Sequence, residues 1–238
     1  MSEQLVLIEG LSASGKSLSL SHLREPEGVI YLNCENKRLP FKPGKLQCYN
    51  ITDPYQVYEG IQYADKTASV HTVVIDTLDF LMTMFETNII KKAANTQKAW
   101  GDYFTYFQEL MQVYVANSSK QFIFLAHAYT ILDEEAMMKV TAVPVKGALK
   151  NLGVESFFTT VVMSKQIPLR LVEAYKNPLL TVSDDDKERG VKYVFQTRMT
   201  KESAGEKIRS PQDMWTKDET FIDNNIQFVL DRLADYYK

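Results

Sequence analysis

The chain has 238 residues, 45% hydrophobic and 24% charged, which suffices for one sizeable buried core in an ordinary soluble globular protein. A net charge of −3 excludes a uniformly polybasic nucleic-acid binder, so any such role must rest on local patches. Two cysteines, Cys34 and Cys48, fall in predicted strands and read as buried free thiols rather than as a disulfide framework or a metal site. An acidic residue at Glu3 and a strand by Leu5 leave no secretory signal pattern, and no apolar stretch is long enough to span a bilayer, so a cytoplasmic location is expected.

In chain order, short apolar runs bounded by turn residues predict strands at 4–8, 28–33, 46–50, 72–75, 121–125 and 160–163. Apolar periodicity predicts helices at 53–64, 77–94 and 103–116 between them. This alternation is the sequence form of βαβ units around a buried parallel sheet. From 169 to 199 the texture changes to an antiparallel hairpin closing one sheet edge, with the acidic run 184–189 as its solvated loop. Residues 221–237 read as a terminal amphipathic helix. The predicted fold is therefore three-layer α/β/α with a mostly parallel central sheet and a C-terminal antiparallel hairpin, in one domain over 1–238.

Directly after the first strand, Gly10, Gly15, Lys16 and Ser17 complete a G-x-x-x-x-G-K-S phosphate loop, which leads into the helix-forming stretch 17–23. In a chain this long the pattern arises by accident about once in a hundred. A strand, a glycine-bounded loop and a helix start aim consecutive backbone N–H groups at one point, where a polyphosphate is held. Gly10, Ser12, Ala13, Ser14, Gly15, Lys16, Ser17 and Leu18 are the predicted ATP contacts. Lys16 would reach the β/γ-phosphates and Ser17 would ligate Mg²⁺. The competing interpretation is a serine-rich turn.

Hydrolysis needs more than a cradle. The run ending in Asp76 places a carboxylate at the C-terminal edge of a strand, where open parallel sheets hold ligands, so Asp76 is the second magnesium-organising residue; a helix N-cap is its structural alternative. Because Thr77 follows it, the water-activating base must come from elsewhere, and Glu35, ending the second strand, is the candidate, against a solvated strand-end carboxylate. His127 ends another buried strand and is a candidate γ-phosphate sensor or a structural histidine; His22 reads as structural. Arg198 and Lys201 follow a late strand and are candidate fingers acting on a neighbouring subunit, or ordinary surface cations.

This ordered set resembles the RecA-like core of the P-loop ATPases, over about residues 4–200, and most closely the short versions found in bacteriophages and often called AAA ATPases. Some of those look like minimal recombinases that anneal single-stranded DNA. The resemblance implies that Glu35 is the catalytic glutamate, His127 the sensor, and Arg198 and Lys201 the residues acting across a subunit interface that holds the nucleotide. It also implies DNA-binding loops at 91–100, with Lys91, Lys92, Lys98 and Trp100, and at 129–150, with Lys139, Lys146 and Lys150. The acidic triplet 133–135 works against the second loop, and a helix turn with a core tryptophan is the alternative for the first. The subunit-linking segment that precedes the first strand of RecA has no counterpart, which argues against filaments but not against a ring or short oligomer.

The leading functional expectation is an ATP- and Mg²⁺-dependent, single-stranded-DNA-binding recombination protein, homo-oligomeric, located in the host cytoplasm if phage-encoded, with a single-strand-binding protein as a further partner. The alternative is a nucleotide-dependent, protein-contacting switch in replication or packaging, which the acidic balance favours. A small-molecule kinase is disfavoured because no arginine-rich lid is visible.

Overall fold

Runs such as Val73, Val74 and Ile75 put β-branched residues on both sides of the backbone, so they fold as strands only where both sheet faces are covered. The computed structural model describes residues 4–134 and 137–238. Its strands are β1 (Leu5–Gly10), β2 (Val29–Asn33), β3 (Gln47–Asn50), β4 (Thr72–Asp76), β5 (Gln121–His127), β6 (Tyr129–Asp133), β7 (Met138–Ala142), β8 (Thr160–Pro168), β9 (Val191–Gln196) and β10 (Phe221–Asp223). Eight form one sheet in the order β10-β9-β8-β1-β5-β4-β2-β3, parallel from β8 to β3 and antiparallel at β9 and β10. β6 and β7 form a separate antiparallel hairpin.

The helices are α1 (Gln56–Lys66), α2 (Leu78–Asn88), α3 (Thr96–Glu109), α4 (Gly147–Leu152), α5 (Leu169–Val172), α6 (Asp184–Arg189) and α7 (Ile226–Tyr236). Leu7 of β1 joins the core covered by α1–α3, while Val6 and Ile8 face the opposite core with Leu20 and the α7 residues Val229, Leu230 and Leu233. That alternation is the period of two expected of a strand, and it produces the three layers. α1 buries Val57, Tyr58, Ile61 and Ala64, the i, i+4, i+7 stripe that a core-facing helix needs.

Four expectations are corrected. The acidic run is helix α6, because Ser183 accepts from Asp186 N and Asp186 caps Ser183 in return, while Lys192 binds Asp186 at 3.1 Å and Asp223 at 2.9 Å. The terminal segment 221–237 begins as edge strand β10; only after Asn225, whose side chain caps Gln227 N, does α7 start. The stretch after the phosphate loop is a 3-10 helix, Ser17–His22, in place of an α-helix. Cys34 is buried, but Cys48 is exposed because β3 is the edge strand; both are free thiols. Among the described residues, no helix is long and apolar enough to cross a membrane.

Candidate functional site

At the C-terminal end of β1 the chain turns tightly over its own backbone. A Cβ on Gly10 would lie 2.5 Å from the Ser164 carbonyl oxygen, and one on Gly15 2.6 Å from Asn224 Nδ2, so both loop glycines are dictated by close approach. Gly15 and Ala13 also take left-handed backbone angles, with φ of 97° and 61°. The loop is fastened from the strands beside it: Ser164 Oγ donates to the Ser14 carbonyl at 2.8 Å and Asn224 Nδ2 to the Gly15 carbonyl at 2.8 Å. Lys16 is buried, and its ammonium donates to the carbonyls of Gly10 and Leu11, each at 2.9 Å. Burial pushes its pKa down, and Asp76, Asp79 and Glu35 pull it back up. The Ser14 hydroxyl lies buried without a hydrogen-bond partner among the described residues.

Asp76 ends β4 beneath this loop. Its Oδ2 accepts from Ser17 Oγ and from Tyr31 OH, both at 2.8 Å, while its Oδ1 is buried with no donor among the described residues. Burial pushes the Asp76 carboxyl up, against the hydrogen bonds from Tyr31 and Ser17 that lower it. An oxygen-only pair of Ser hydroxyl and orphaned carboxylate is the donor set that suits a hard divalent cation such as Mg²⁺, held partly through water. Thr77, joined to Asp76 by a cis peptide, donates from Oγ1 to Glu35 Oε1 at 3.2 Å.

Glu35 is thus tied into the site rather than solvated. Lys37 Nζ binds its other oxygen at 2.8 Å, and His127 Nδ1 lies 3.4 Å from Oε1. The imidazole is itself held by Asp79, whose Oδ2 is 3.1 Å from Nδ1 and whose Oδ1 accepts from His127 N at 2.9 Å. Although burial alone would raise it, these bonds hold Asp79 below the usual carboxylate range. One strand edge therefore gathers Lys16, Ser17, Asp76, Glu35 and His127 around a cleft of about 460 Å³ that also touches Ser12, Ala13, Ser14, Gly15 and Leu18. That is a size suited to a small ligand.

Sequence reasoning missed Tyr31, Asp79, Asn224, Arg189 and Tyr193, all at or beside the cleft. Only Asp79 carried a local signal, as part of the helix start after Asp76. The other predicted residues lie elsewhere. Arg198 donates to the Trp215 carbonyl at 2.5 Å and lines a different cavity, and Lys201 is exposed at the start of a 3-10 turn; neither lines the cleft of its own chain.

Lys91, Lys92 and Lys98 are exposed around the α2–α3 turn and form no ion pair among the described residues. Trp100 packs against Tyr103 at 5.4 Å and beneath Gly147, so its ring is part of the structure between α3 and α4. Lys146 pairs with Glu86 at 2.7 Å, Lys139 and Lys150 are exposed, and the 129–150 stretch is mainly the β6–β7 hairpin and α4. Of the acidic triplet, Glu135 lies outside the described residues.

The sequence model of the AAA domain family matches residues 2–168, which includes the phosphate loop, the strands that end in Asp76 and His127, and Glu35, which lies just beyond the end of β2 rather than on it. No curated protein matches the chain. With more than half of its length under that match and a phosphate loop at the head of a mostly parallel sheet, the chain belongs to the AAA domain family and is a nucleotide-binding P-loop protein.

Proposed function

We propose that the protein is an Mg²⁺-dependent ATPase whose turnover is coupled to single-stranded DNA. The observation that carries the ATPase reading is the convergence of Ser17 and Tyr31 on one oxygen of Asp76, with its second oxygen unpaired among the described residues, next to a Glu35 held by Thr77 and His127. Lys16 and the loop N–H groups would hold the phosphates; Ser17 and Asp76 would hold the cation. Held there, Mg²⁺ would supply neutralisation of phosphate charge. Glu35 accepts the proton of the attacking water, and His127, fixed by Asp79, registers the γ-phosphate at the end of β5.

The path to a partner is short. Ala128 N donates to the Gly10 carbonyl at 3.0 Å, and the β6–β7 hairpin begins at the next residue, Tyr129. DNA held by this hairpin, Lys139 and the exposed Lys91, Lys92 and Lys98 would bias the His127 end of the strand. Annealing or recombination is the use of such coupling that the resemblance to phage ATPases suggests, with the nucleotide between subunits and Arg198 or Lys201 acting on a neighbour. The runner-up, a protein-contacting switch, is favoured by one feature: Leu132 and Met137 of the hairpin are 61% and 81% exposed.

Calorimetry with Mg·ATP tests the core reading. Lys16→Ala should abolish the heat of association or turnover, whereas Glu35→Gln should keep the binding and slow hydrolysis by about 10²–10⁴-fold. Parental hydrolysis by Glu35→Gln rejects the base assignment, and no heat from the folded parent protein rejects the ATPase.

A further inference from the structure

The phosphate cleft does not end at the wall formed by Tyr31, Asn33, Lys37 and Arg38. The same residues line a second cavity of about 630 Å³ between the segment 37–43 and the ends of β2 and β3. Strand register explains the continuity: Asp76, Asn33 and Asn50 stand side by side on β4, β2 and β3, so one row of polar side chains leads from the cation-binding aspartate into the second cavity. Each cavity is of a size that a small ligand fills.

The row contains an unanswered acceptor. Asn33 is 6% exposed and donates from Nδ2 to the Lys37 carbonyl at 2.8 Å and to Asn50 Oδ1 at 3.1 Å, bonds that fix which way its amide points. Its Oδ1 is buried with no donor among the described residues, and buried amide oxygens in native proteins are nearly always paired. Asn50, having given its carbonyl to Asn33, keeps an NH₂ with no partner among the described residues. An acceptor and a donor on neighbouring strands match a planar edge carrying an N–H beside a carbonyl or ring nitrogen.

The rest of the lining complements such a group. Tyr31, Pro40 and Phe41 supply apolar surface, while Arg38 and Lys42 bring two exposed cations. Their neighbours are engaged, Lys37 with Glu35 and Lys45 with Glu27, but Arg38 and Lys42 have no acidic partner among the described residues. Apolar walls, an amide-reading edge and paired cations are together the recognition chemistry of a nucleotide.

We infer that this cavity is a second site, for a nucleoside monophosphate unit, whose base edge meets Asn33 and Asn50 and whose phosphate meets Arg38 and Lys42. A free mononucleotide and a nucleotide of a single strand present the same chemistry. The inference rests on the ATP reading only for the occupant of the adjoining cleft. A second nucleotide there shares the wall of Tyr31, Asn33, Lys37 and Arg38 with the occupant of the phosphate cleft, so its binding and that of ATP are coupled.

The test saturates the protein with Mg²⁺ and a non-hydrolysable ATP analogue, then titrates each of the four ribonucleoside monophosphates, a short single-stranded oligonucleotide, and inorganic phosphate by calorimetry. The site is supported when a mononucleotide or the oligonucleotide binds the saturated protein and is weakened about tenfold or more by Arg38→Ala with Lys42→Ala, and also by Asn50→Ala. Binding of the mononucleotide assigns a free ligand; binding of the oligonucleotide alone assigns a strand. The inference is overturned if neither binds, if either merely competes with the analogue, if inorganic phosphate binds equally well, or if the variants bind as the parent does. Repeating the titrations on Lys16→Ala protein without analogue separates the two readings. Retained binding there, sensitive to Arg38 and Lys42, keeps the second site even where the analogue fails to bind the parent.

Discussion

Glu9 sits one residue before the phosphate loop, wholly buried on β1, and neither carboxylate oxygen has a donor among the described residues. Burial drives its pKa well up, Glu155 and Glu206 add to this, and Lys207 and Arg209 oppose it. A carboxyl whose folded pKa is raised contributes no penalty below the unfolded value of about 4.3, then destabilises increasingly as pH rises toward the folded pKa. Glu9→Gln should therefore leave the melting temperature unchanged in acid and raise it near neutrality, by about 2–4 °C for each kcal/mol recovered; an equal shift at every pH would contradict the burial argument. Asp79 differs: it holds His127 through two hydrogen bonds, which under the proposed mechanism makes it a positioning residue. Asp79→Asn should lower kcat by up to about a hundredfold while the KM for ATP stays near the parental value. A rise in KM with kcat unchanged would place Asp79 in binding instead.

The β6–β7 hairpin is held to the body at close quarters. Thr141 N donates to the Gly205 carbonyl at 2.9 Å, and a Cβ on Gly205 would fall 1.8 Å from the Lys139 carbonyl oxygen. Gly205→Ala must therefore push the hairpin away. The expected outcome is faster hydrogen exchange over 129–142 and weaker DNA binding, with ATP affinity retained; unchanged exchange would show that the hairpin docks by other means. No sequence pattern announced that docking, because a glycine needed for a close approach looks like any turn glycine until its neighbour is known. α6, by contrast, left a local signal that the loop expectation passed over: Ser183 and Asp186 have the spacing of a capping box, and the density of charge obscured it. β10 was hidden for a different reason, since three residues pair only because β9 offers its edge.

At the scale of the whole molecule, the net charge of −3 means that the proposed DNA binding would have to rest on local groups of cations. Replacing Lys91, Lys92 and Lys98 together by Glu should weaken single-stranded DNA binding and flatten its salt dependence, by a slope of about 0.7 for each phosphate that the protein no longer neutralises; filter binding with and without ATP measures both. An unchanged affinity would favour the protein-contacting switch. The phosphate loop, the parallel strands and the carboxylates at their ends were determined by sequence alone, because strand burial and the loop's turn are local consequences of β-branched runs and fixed glycine spacing. Glu35 and His127 could be named as strand-end residues from the same patterns, but their meeting through Thr77 and Asp79 depends on the strand order β1-β5-β4-β2. Tertiary structure alone decided that Tyr31 would share Asp76 with Ser17, that Asn224 would brace Gly15 from 209 residues away, and that Arg198 would turn to the Trp215 carbonyl. Such pairings follow from which strands lie side by side, and side-chain type along the chain does not encode that.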